Sequence, residues 1–191
     1  KLEINDLPSF IEMLRKSPGK YNFGSAEMGS LMHVGPELFK NLPSTEATHV
    51  PYKGGSPAIT DAMGGQIDMV LDTAAALAPF VSAGKLKAYA VTGSKAYAPL
   101  PDVPVARATL PSLESYSWFG LVAPANTPAA AIQVLTKAFT EVASSAGIQS
   151  ELAATGVEPG VATPKAFADV IAADSAKWSG LIHRANVRSD E

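Results

Sequence analysis

Apolar positions along this chain switch repeatedly between helical and strand spacing. Over residues 7–16, Phe10, Ile11 and Leu14 share one face, Pro8 suits a first turn, and Ser17-Pro18-Gly19 ends the run. Residues 20–24 read as a short strand. Leu31, Val34, Leu38 and Leu42 return to helical spacing over 30–42, where Gly35-Pro36 is expected to kink or split the helix. Thr48-His49-Val50-Pro51-Tyr52 reads as a second strand. Ser56 as N-cap and Pro57 at the first helical position then open a helix with Ala58, Ile59, Ala62 and Met63 inside, closed by Gly64-Gly65. Residues 67–73 are mostly apolar, as a buried parallel strand should be. A short helix over 74–81 ends at Gly84, and 86–92 reads as a fourth strand of alternating bulk.

The rest of the chain is less regular. Residues 94–115, with Pro99, Pro101, Pro104 and Pro111, read as a connector. Residues 117–124 read as one strand. Thr127-Pro128 starts a helix with Ile132, Leu135, Phe139 and Val142 on one face. A shorter helix over 148–155 stops at Gly156. Thr163-Pro164 starts the last, with Phe167, Val170, Ile171, Trp178, Leu181 and Ile182 inward. The pattern predicts an α/β lobe with a mainly parallel sheet over 1–115, then a segment over 116–191 with three helices and a single strand. Three amphipathic helices must bury their faces and one strand is not a sheet. Together with the opening Lys1-Leu2-Glu3-Ile4, this places the expected partner strands upstream, in a longer chain.

In an open parallel sheet, ligands bind beyond the carboxyl ends of the strands. Three loops satisfy that rule, at 25–30, 53–56 and 72–74. The first is the richest: Gly24 and Gly29 let backbone come close to a ligand, Ser25 and Ser30 offer hydroxyls, and the helix start supplies unpaired N–H groups and the positive dipole end. Lys53 adds a charge for a carboxylate, and Asp72 is the main polar candidate on the third loop. His33 is a possible ligand contact, whereas His49, His183, Asp68, Tyr52, Trp118 and Trp178 read as structural, packed or exposed residues.

Composition narrows the function. The chain has 191 residues, 47% hydrophobic and 17% charged, which suits a folded domain. A net charge of −3 without a basic block argues against nucleic acid. The apolar runs are too short for a membrane span. There is no cysteine and no metal-ligand spacing among the three histidines, so no metal site or cofactor is expected.

Six segments in order, from about residue 18 to about residue 178, resemble the Bug family, the solute-binding proteins of tripartite tricarboxylate transporters. They are Gly24-Ser25-Ala26-x-x-Gly29-Ser30-x-x-His33, His49-Val50-Pro51-Tyr52-Lys53-Gly54-Gly55, Gly64-Gly65-Gln66-Ile67-Asp68, Ala83-Gly84-Lys85-Leu86-Lys87-Ala88, Leu100-Pro101-Asp102-Val103-Pro104, and Trp118-Phe119-Gly120-Leu121-Val122-Ala123-Pro124-Ala125-x-Thr127-Pro128. The resemblance implies a type II periplasmic-binding-protein fold, two α/β lobes around a cleft, without the N-terminal part of lobe one. Residues 1–115 would be lobe two, and 116–191 would complete lobe one. It implies a periplasmic, non-enzymatic receptor that captures a small di- or tricarboxylate-like anion and delivers it to a membrane permease. Carried over by position, Ser25, Ala26, Gly29 and Ser30 would hold a carboxylate, with Asp72 and Thr73 facing the ligand. Many relatives have Gly where this chain has Glu27, whose charge beside an anion pocket would affect ligand choice. Two other functions remain open: a serine hydrolase using Ser25 or Ser30 with His33, although no GxSxG elbow is present, and a ligand-sensing module of a regulator.

Overall fold

A computed structural model describes residues 4–154, 156–158, 160 and 163–187. The expected opening at 1–3 and the expected helix end at 155 lie outside the described residues. The chain forms two compact units, one of Lys1–Ser117 with Trp178–Glu191, the other of Trp118–Lys177.

The first unit is built on a three-stranded parallel sheet in the order β2-β1-β3. Helix α1 (Leu7–Lys16) precedes it. Asp6 caps α1 by accepting from the Ser9 N–H at 2.7 Å, and Arg15 and Lys16 fall at its negative end. The face predicted from spacing is the buried one, Leu7, Phe10, Ile11 and Leu14. Strand β1 (Asn22–Ser25) is central, with Phe23 fully buried. It pairs with β2 (Thr48–Pro51) in the register Phe23↔His49 and with β3 (Met69–Val70) in the register Phe23↔Met69. Helix α2 (Leu31–Asn41) links β1 to β2, and α3 (Gly55–Gly64) links β2 to β3. α2 runs unsplit through Pro36. Gly24 permits the close packing of α3 on the sheet: a Cβ there would lie 2.5 Å from Ile67 Cδ1 and 3.2 Å from Ala58 Cβ.

Four further expectations change in this unit. α3 starts at Gly55 with Gly54 as N-cap at φ 106, so neither Ser56 nor Pro57 holds the position predicted for it. The third strand is only Met69–Val70. Beyond it Asp68 takes over, its N–H donating to the Asn22 carbonyl (3.2 Å) and its Oδ2 accepting from the Asn22 N–H (2.9 Å). Residues 86–92 form no strand: Val91 makes one isolated parallel bridge to Val105, and alternation of bulk supplies no ladder partner for the rest. Residues 94–115 are more than a connector. Ala106, in a 3-10 turn at Ala106–Ala108, and Leu113 join Leu7, Phe10, Ile11, Leu14 and Phe39 in the core, where Phe10 stacks on Tyr89 at 4.9 Å. Helix α4 (Ala74–Ser82) follows the prediction, with Thr73 as N-cap.

The second unit contains α5 (Ala129–Ala143), α6 (Ala146–Ala154) and the first part of α7 (Pro164–Ala185). Residues 117–124 do not form the expected strand. No described strand lies beside them, and Phe119, Leu121 and Val122 are exposed. Trp118 is held by its indole N–H, which donates to Asp174 Oδ2 at 2.6 Å, and by an edge-on contact with Phe167. The predicted face of α5 is exposed at Leu135 and Val142. On α7, Leu181, within the first unit, is the inward residue that is fully covered.

Candidate ligand site

Because the three strands are parallel, their carboxyl ends share one edge of the sheet, and each strand is followed by a loop and a helix start. β1 leads to α2 at Leu31, β2 to α3 at Gly55, and β3 to α4 at Ala74. The loops are tied together. The Tyr52 N–H donates to the Ser25 carbonyl (2.9 Å), and the Gly54 N–H donates to the Ala26 carbonyl (2.8 Å). The Asp72 carboxylate packs so closely on Gly55 that a Cβ at residue 55 would collide with Oδ2. One edge therefore gathers the backbone of Ser25, Ala26, Gly29, Ser30, Lys53, Asp72 and Thr73.

Their polar groups mostly face one another. Ser25 is 1% exposed, and its Oγ lies 2.6 Å from His49 Nε2 and 3.2 Å from the Glu27 carbonyl. Gly29 sits at φ 75, a left-handed conformation that suits glycine, and its N–H donates to His33 Nδ1 at 3.1 Å. The Ser30 hydroxyl donates to the Glu27 carbonyl at 2.8 Å instead of capping α2. The Thr73 N–H donates to Asp72 Oδ1 (2.7 Å), and Thr73 Oγ1 accepts from the Ala76 N–H (3.4 Å). Lys53 is exposed. The hydroxyls and the Gly29 N–H thus build the loops.

What stays open is main chain. The N–H groups of Leu31 and Met32, in the first turn of α2, have no acceptor among the described residues. α3 differs, since the Asp72 carboxylate already lies against its first residue. Thr73 and Asp72 likewise occupy the start of α4. Neither α2 nor α3 has a side-chain cap, and of these two only α3 has the Asp72 carboxylate lying against its first residue.

Two histidines lie under this loop, and their pairing escaped the sequence reading, which had His33 as a possible ligand contact and His49 as structural or exposed. His33, on the first turn of α2, is 4% exposed. Its ring stacks on that of His49 at 3.8 Å and 10°, and His49 stacks on Phe23 at 4.9 Å. The usable signals were the cross-strand position of His49 beside Phe23 and the placement of His33 three residues after the N-cap, on the face toward the sheet. Burial lowers the His49 pKa to about 4, helped by His33 and Lys40. Burial also lowers that of His33, with Glu37 opposing and Lys40 assisting. The folded protein therefore binds fewer protons here than the unfolded chain as pH falls below the ordinary imidazole value of about 6.5. This contribution to stability is whole above that pH and is lost as pH falls toward 4.

Ser25→Ala removes the hydroxyl between His49 Nε2 and the Glu27 carbonyl, leaving buried polar groups unpaired. A loss of about 1–3 kcal/mol in unfolding free energy is expected by urea denaturation.

The geometry also bears on catalysis. The histidine that reaches Ser25 is His49, not His33, and among the described residues no carboxylate is bonded to it. No group of three or more His, Asp or Glu side chains among the described residues could hold a metal ion. The first unit is thus an α/β lobe whose parallel sheet carries, at its carboxyl edge, an open helix start over a closed polar network.

The comparisons with known proteins agree. The chain matches the TctC family, described as tripartite tricarboxylate transporter family receptor, over residues 2–187, and it belongs to that family. BugT of Bordetella pertussis is 28% identical over 189 residues, 98% of this chain and 58% of BugT. R. palustris Rpa4515, solved with adipate, superposes with a TM-score of 0.84 at 30% identity, over 98% of this chain and 63% of that one. MatC of Rhodopseudomonas palustris, solved with bound malate, gives a TM-score of 0.78 at 27% identity, over 93% of this chain and 62% of that one. The fold is that of periplasmic binding proteins over the shared part, and the chain spans about half the length of the curated relatives it matches. The family and fold are those of solute-binding receptors, not enzymes, and lend the serine-hydrolase alternative no support.

Proposed function

We propose that this chain is part of a periplasmic receptor that captures a small carboxylate and passes it to the membrane permease of a tripartite tricarboxylate transporter. The observation that carries the reading is the open first turn of α2, where the Leu31 and Met32 N–H groups and the positive dipole end await an acceptor. In this reading Ala26, Gly29 and Ser30 shape the loop and Ser25 anchors it from below. Lys53 adds long-range attraction. Asp72, already against α3, offers an acceptor to a hydroxyl or amino group on the ligand. Glu27, exposed in the same loop, disfavours a second negative group nearby. Residues 1–115, with the unit's returning segment from residue 178, act as the lobe bearing these loops, and residues 118–177 belong to the other lobe. The adipate and malate of the two relatives support a carboxylate as ligand. No helix among the described residues is long and apolar enough to cross a membrane.

Thermal unfolding of the full-length protein against malate, adipate, citrate and their neutral amides tests this. At least one acid should stabilise by about 2.7 kcal/mol at roughly a hundred times its Kd, with no effect from its amide. Equal stabilisation by acid and amide, or none by any acid, would overturn it.

A further inference from the structure

We propose that the stacked His33–His49 pair positions the loop ahead of α2, and that a proton added to His33 releases Gly29 and weakens anion binding at that helix start. The binding half rests on the carboxylate reading above; the loop half does not.

The two rings hold the loop at two points. His49 Nε2 meets Ser25 Oγ at its first residue, and His33 Nδ1 accepts the Gly29 N–H near its end. The protons can be placed. The Ser25 hydroxyl has one proton and two neighbours, so both contacts are satisfied when it donates to the Glu27 carbonyl and His49 donates its Nε2–H to Oγ. His33 must keep Nδ1 bare to accept from Gly29, which puts its single proton on Nε2, facing Glu37 Oε1 at 4.0 Å. A second proton on His33 can go only to Nδ1, where it would meet the Gly29 N–H donor head-on. His49 differs: its second proton would go to Nδ1 and leave the Ser25 contact intact. Two charged rings 3.8 Å apart would repel, so a proton on His33 holds His49 neutral.

The surrounding charges are few. From α2, Glu37 favours a proton on His33, while Lys40, ion-paired to Glu37 at 2.6 Å and lying over the Phe23 ring, disfavours one. From β2 comes His49, and β1 supplies only the uncharged Phe23 and Ser25. Glu27 enters through its carbonyl. Gly29 immediately precedes the N-cap Ser30, so its release frees the chain that aims the Leu31 and Met32 N–H groups. Acid therefore disorganises the donor set at the step before the helix.

The test follows the Gly29 amide and the imidazole protons of the full-length protein by NMR from pH 7.5 to 4, alongside calorimetric titration with malate and with adipate. His33→Asn is the comparison, since its side-chain oxygen can accept from Gly29 and does not titrate. The Gly29 amide should shift with the same midpoint as His33 in the parent protein and stay flat in the variant. The affinity ratio of parent to variant should fall about tenfold across the titration, a ratio that cancels protonation of the ligand itself. A Gly29 amide indifferent to His33 titration would overturn the positioning role. A shifting amide with a constant affinity ratio would overturn the link to binding. If neither acid binds at pH 7.5, the binding half falls with the carboxylate reading, and the NMR arm still decides the loop half.

Discussion

Phe23→Ala should cost the protein about 3–5 kcal/mol, the range for truncating a fully buried aromatic ring. The position leaves little room for relief. Phe23 is in the middle strand, with His49 and Met69 as its lateral partners, so neither side can close over the gap without moving a strand. Its ring also supports charge and polarity. His49 stacks on it at 4.9 Å, His33 lies at 6.2 Å, and Lys40 Nζ sits 5.2 Å from its centroid. Truncation removes hydrophobic area and a cation–π contact together, and lets water reach both imidazoles. The His33–His49 stack should loosen, moving both rings back toward ordinary imidazole titration. Urea denaturation and histidine NMR on the full-length protein measure the two effects. A loss below about 1 kcal/mol with unchanged histidine titration would mean that Phe23 does not support the pair.

The strand and helix starts around the sheet were legible because they are local. Phe10, Ile11 and Leu14 need only helical spacing to define the buried face of α1. Gly65, at φ 72, ends α3 where a glycine C-cap was expected. Tertiary partners were not legible. Residues 117–124 are a short apolar run that reads as a strand, yet Phe119 and Val122 stay exposed because an apolar run alone provides no neighbour. Val91 finds Val105, and Ala106 and Leu113 reach the core, from a stretch whose prolines hide any period. At α3 the capping pattern favoured Ser56, but the close approach of Asp72 to Gly55 accompanies a helix that begins two residues earlier, behind Gly54.

The candidate site divides the same way. Its address, the carboxyl edge of a parallel sheet, follows from the order of elements. Its donors do not, because a hydroxyl in a loop reads the same whether it faces a ligand or a buried partner. Ser25 faces His49, 24 residues away in sequence, and no spacing rule connects them. In the proposed reading, specificity for negative charge depends on main-chain N–H groups, with side chains fixing the backbone that presents them.

That dependence can be tested one donor at a time. Leu31 is the first helical residue of α2, where proline is accepted because the missing N–H has no helical acceptor. Ser30, at φ −63 and ψ 162, already has the extended backbone that a following proline requires. Leu31→Pro therefore deletes a single N–H and keeps the helix, and Leu31→Ala accounts for the lost side chain. A hydrogen bond to a charged group contributes about 1.5–3 kcal/mol, so the proline variant should bind more weakly than the alanine variant by roughly ten- to a hundredfold. The decisive measurement is the calorimetric affinity of both variants, in the full-length protein, for whichever of malate, adipate or citrate the parent binds. Weaker binding by the proline variant, with unfolding free energies alike, is the result predicted here; equal affinity in the two would contradict the α2 start as the carboxylate anchor.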